Sequence, residues 1–183
     1  MVDSPTQDVD VEVTMTDPMQ EVFEADPLLA FAPLTRVQVK ALQEVAQTIS
    51  ATLSASFLGG SSVDGSAMNK AYGLLWLWVL GVYEVLRTMS QAKDCFTPEL
   101  RERLAIEKRY YAKLRVPLTK HEFAGGRGPA GLAGMLSGID ISRKDVSFCI
   151  EGETYSARDM INRFSVFISR IKLADIRARS PCA

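Results

Sequence analysis

The sequence predicts a mainly α fold, a helical bundle of about four helices with a small β-hairpin before the last helix. Three observations carry this. Apolar residues recur at helical spacing in long runs, those runs open on capping residues, and one short stretch of β-branched and aromatic residues is split by a glycine turn.

The first helix is expected over about 35–58, where Leu42, Val45, Ala46, Ile49 and Leu53 repeat at helical spacing from Thr35 until Gly59-Gly60 ends the run. The turn-forming loop GGSSVDGSA leads into the most apolar segment, AYGLLWLWVLGVYEVLRTM, read as a helix over about 67–92. Its apolar run is 13 residues long before Glu84 and Arg87 interrupt it, against the ~20 that a bilayer crossing needs. It therefore reads as a central core helix, with Trp76 and Trp78 inside the protein or at a dimer interface. Thr97-Pro98-Glu99 supplies a hydroxyl N-cap, a proline in the first turn and an early acid for a third helix, expected to stop near Arg115 because of Pro117.

A glycine-rich loop is expected over about 124–139, with one short helical turn around Leu132 to Leu136. VSFCI and ETYS then flank Gly152 as a hairpin. Ser156 and Asp159 form an S-x-x-D cap for a last helix carrying Met160, Ile161, Phe164, Phe167, Ile168 and Ile171 on one face. The basic C-terminal stretch after it reads as frayed.

Charge divides the chain. Residues 1–35 hold eight acidic groups and no Lys or Arg, which leaves 21 basic against 14 acidic residues from Arg36 onward. Residues 1–33 are accordingly read as an acidic, disordered tail and 34–183 as a single helical domain, with the tail able to compete for the basic body. The N-terminus has acids where a secretory signal would have a basic region. Three widely spaced cysteines and one histidine suggest neither a disulfide framework nor a metal site, so the expectations are a cytoplasmic protein, no cofactor, no metal and no membrane span.

The signatures of P-loop nucleotide binding, serine hydrolysis and zinc proteolysis are absent. What stands out is the basic third helix. Arg101, Lys108, Arg109, Lys113 and Lys120, with Tyr110 among them and Arg127 in the glycine loop, form a candidate nucleic-acid surface in which an exposed tyrosine would stack on a base. Arg115 and His121 are spaced R-x5-H within RVPLTKH, a pairing able to cleave RNA without a metal, imidazole moving the proton and guanidinium steadying the phosphate.

Here the chain resembles the HEPN superfamily, helical-bundle proteins with an R-x4-6-H motif near a late helix. That resemblance implies a metal-independent ribonuclease site across a homodimer, with Arg115 and His121 catalytic and Glu84 and Arg87 in support. The broader expectation is a non-enzymatic interaction or regulatory module, dimeric or bound to a protein partner through the Trp-rich helix or the basic face. RNA binding or cleavage is the alternative.

Overall fold

The computed structural model describes residues 18–59, 62–120 and 136–178, with the backbone alone for 118–120. It is mainly α, as the apolar periodicity predicts. In chain order the helices are α1 (Pro18–Ala25), α2 (Pro27–Phe31), α3 (Pro33–Ser56), α4 (Gly65–Gln91), α5 (Pro98–Lys120) and α6 (Ala157–Ser169). Strands β1 (Phe57–Gly59) and β2 (Ser62–Val63) form one small hairpin, while β3 (Leu136–Asp140), β4 (Asp145–Ile150) and β5 (Glu153–Ser156) form an antiparallel sheet in that order before α6.

α4 packs between α3 and α5. Its start is fixed by Asp64, whose carboxylate accepts the backbone N–H groups of Ser66 and Ala67 at 2.8 and 3.1 Å. Ala71, Leu75, Trp78, Val82, Leu86 and Met89 form its buried stripe. Trp78 is 1% exposed; its indole N–H donates to the Leu42 carbonyl of α3 at 2.9 Å, and its ring meets Tyr111 and Phe164 edge-on. At Gly81 a Cβ would stand 2.6 Å from Leu42 Cδ2 of α3, so a larger residue there would force the Leu42 side chain to shift. No helix among the described residues is long and apolar enough to cross a membrane.

The hairpin before α6 forms with Glu151 and Gly152 both at positive φ, +53° and +80°, the backbone a tight two-residue connection demands. Val146, Phe148 and Ile150 of β4 point into the core, and Ser156 caps α6 by accepting the Asp159 N–H at 3.1 Å.

Four expectations are corrected. Residues 18–33 are not a disordered tail: α1 and α2 are helical, Leu28 and Phe31 are buried, Phe31 meets the Phe96 ring at 4.6 Å, and Asp26 pairs with Arg36. Residues 1–17 lie outside the described residues. The third helix does not stop at Arg115 but runs through Pro117 to Lys120. In the last turn a proline deletes a single amide donor, the one that would reach the Lys113 carbonyl, so its cost stays at the helix end. Leu136–Asp140, assigned to the glycine loop and its helical turn, is strand β3, because β4 offers it a partner along its length.

The described part of the stretch after α6, residues 170–178, is also ordered, and 179–183 lie outside the described residues. The Thr97 N–H donates to the Asp175 carbonyl at 2.9 Å and the Arg177 N–H to the Cys95 carbonyl at 2.8 Å, which docks Leu173–Ile176 on the link between α4 and α5. The rest of the expected glycine loop, 124–135, lies outside the described residues, as do His121 and Arg127.

Candidate anion-binding groove

α5 presents two chemically different flanks, and the residues of the predicted basic surface divide between them. On one flank Arg101, Ala105, Lys108 and Ala112 follow one another at spacings of four, three and four residues, so they share a stripe. Arg109 lies beside that stripe. Lys93, on a short 3-10 turn after α4, closes it from the other side. Together with Ser90 and Leu104 these residues line a groove of about 510 Å³. Its floor is apolar, made by Leu104, Ala105 and Ala112, and among the described residues its rim carries four cations and no carboxylate. Asp94 is almost fully exposed and reaches Arg101 only at 3.9 Å. Among the described residues no carboxylate is paired with Lys93, Lys108 or Arg109, so their charge is open to an incoming anion.

The opposite flank is committed to holding the fold. Tyr110 is half-buried rather than free to stack on a base: its ring sits against Tyr111 and Tyr155, and the Arg163 guanidinium of α6 covers it at 4.1 Å. Burial pushes the Tyr110 phenol up to about 12, with Arg163 partly opposing the rise. Arg163 also makes a two-pronged bond to Glu107 at 2.7 and 2.9 Å. Tyr111 is fully buried and donates to the Met160 carbonyl at 2.6 Å. Lys113 reaches Glu153 on β5 at 3.3 Å, and that carboxylate also accepts the Tyr155 hydroxyl. The two hydrogen bonds, from Tyr155 first and then Lys113, hold the Glu153 carboxyl below the usual carboxylate range.

The residues of the suggested ribonuclease site are placed as follows. The Arg115 guanidinium lies 4.6 Å from the centre of the Tyr83 ring. Glu84 is bonded to Arg87 at 2.6 Å, both half-exposed on α4, as an ordinary i,i+3 surface pair. His121 and Arg127 fall outside the described residues, and of Lys120 only the backbone is described. Cys95 is buried and Cys149 exposed, and they form no disulfide; burial, then the Asp94 charge, pushes the Cys95 thiol up. Among the described residues no three His, Cys, Asp or Glu side chains gather where a metal ion could be held.

Two residues of consequence carry no sequence signal. Lys93 belongs to no periodic run. Asp145, 2% exposed, looks in sequence like a surface turn acid but is the hub that ties β4 to α6: it accepts the Val146 and Arg158 N–H groups at 2.8 and 3.2 Å and the Ser156 hydroxyl. No protein-family model, no curated protein and no solved structure matches this chain.

Proposed function

We propose that this chain is a non-enzymatic interaction module whose α5 groove takes an acidic segment of a polypeptide. The observation that carries the reading is the ring of Lys93, Arg101, Lys108 and Arg109 around an apolar floor. A segment with acidic and apolar side chains interleaved would set its carboxylates on that rim and its apolar groups on Leu104, Ala105 and Ala112. A single-stranded nucleic acid is a poorer match, since base stacking wants an exposed aromatic ring; among the described residues the groove lining has none, and Tyr110 is engaged on the other flank.

Fluorescence anisotropy with a labelled peptide of alternating Glu and Leu residues tests the proposal. Arg101→Glu with Lys108→Glu weakens binding by at least about tenfold, whereas Lys113→Glu, on the opposite flank, leaves it within about twofold. Equal losses in both variants would overturn the assignment. So would tighter binding of oligouridine than of the peptide, and RNA cleavage in EDTA that His121→Ala abolishes would return the enzyme reading to first place.

A further inference from the structure

α4 buries one stripe and leaves the opposite one open. Lys70, Leu77 and Glu84 are spaced by seven residues, 20° short of two full turns, and so lie along one line on the outer face. Gly73 and Leu80 run beside them at i+3. Leu77 is 57% exposed, Lys70 is exposed, and a Cβ on Gly73 would meet nothing within 4 Å. Leu80 is partly exposed and lies outside the core cluster. An apolar centre, Leu77 and Leu80, therefore sits between a cation toward the N-terminal end of the face and an anion toward its C-terminal end. Arg87 bonds one of the two Glu84 oxygens, Oε2, at 2.6 Å.

We infer that this face binds a second copy of the same chain, with the two α4 helices antiparallel about a two-fold axis through Leu77. Lys70 and Glu84 stand seven residues on either side of Leu77, so such an axis sets Lys70 of each copy against Glu84 of the other, twice, and packs Leu77 and Leu80 between them. A parallel arrangement would set Lys70 against Lys70 and is disfavoured by repulsion. Gly73 leaves the room that close approach of two helices needs. This inference is independent of the α5 groove, which lies elsewhere on the molecule, and it holds whether or not that groove takes an acidic segment.

Sedimentation equilibrium of the full chain tests it. The wild-type chain shows a monomer–dimer equilibrium. Lys70→Glu and Glu84→Lys each turn two attractive contacts repulsive and weaken the dimer about tenfold. An equimolar mixture of the two variants restores wild-type association, because each mixed dimer regains both opposite-charge contacts. Leu77→Glu abolishes the dimer and leaves the thermal midpoint at the wild-type value when both are measured at concentrations where wild type is monomeric. A chain that stays monomeric at its highest soluble concentration would overturn the inference, as would single variants that dimerise like wild type or a mixture that fails to recover. A Leu77→Glu variant that unfolds at lower temperature without a change in mass would mean that the chain's own residues cover the face.

Discussion

Replacing Asp145 separates what its shape contributes from what its charge contributes. In Asp145→Ala the Val146 and Arg158 N–H groups and the Ser156 hydroxyl lose their acceptor inside a site that is 2% exposed. Each orphaned buried donor costs about 1–3 kcal/mol, and losing one partner of a buried charge network costs about 3–5 kcal/mol in total. Asp145→Asn keeps one oxygen for the two amides and turns an NH₂ toward Ser156 Oγ, which can accept it while still accepting the Asp159 N–H. It loses only the charge facing the first turn of α6 and the Arg143 guanidinium 3.9 Å away, worth about 1 kcal/mol. Urea unfolding measures both. The expected result is a large drop in midpoint for the alanine variant and a small one for asparagine, at unchanged slope. An alanine variant that loses less than about 1 kcal/mol, or an asparagine variant as damaged as the alanine one, would refute the role given to Asp145.

The Tyr110 phenol is held up to about 12 by burial, above the ordinary tyrosine value near 10. Its contribution to stability is whole below about pH 10 and is lost as pH rises through about 12, so tyrosinate absorbance from Tyr110 should appear together with alkaline unfolding. A Tyr110→Phe chain whose alkaline absorbance titration matches wild type below pH 12 is the expected control; loss of an early-ionising step would contradict the burial. Removing residues 2–17, which hold five carboxylates, should tighten binding of the Glu–Leu peptide, most at low salt, without lowering the thermal midpoint; unchanged affinity would show that this segment does not compete for the groove. Removing residues 2–31 should instead destabilise the fold, since it deletes Leu28 and Phe31 from the core.

The long helices were legible because each presents many apolar residues at one period, so the signal survives charges such as Glu84 and Arg87 on the outer face. The Thr97 and Ser156 caps were legible because hydroxyl caps act locally: Thr97 accepts the Leu100 N–H at 3.3 Å and Ser156 the Asp159 N–H. What sequence reading missed was decided by tertiary partners. Leu28 and Phe31 lie in a five-residue apolar run between Pro27 and Pro33, too short to show a period, and they are held by contacts such as Phe31 with Phe96. β3 contains Gly138, a poor strand former, and exists by pairing with β4. Tyr110 looked exposed because its chain neighbours are cations, yet Arg163, more than fifty residues later, covers it. Of the candidate surface, Arg101, Lys108 and Arg109 converge as their shared helix suggests, while Lys93 joins them only through the fold of the α4–α5 link.

Chemical-shift mapping of the full chain with the Glu–Leu peptide tests the central claim most directly. The claim predicts perturbations concentrated at Lys93, Arg101, Ala105, Lys108, Arg109 and Ala112, shrinking as salt is added. Perturbations centred on Tyr110, Lys113 and Arg163, or none at saturating peptide, would contradict it.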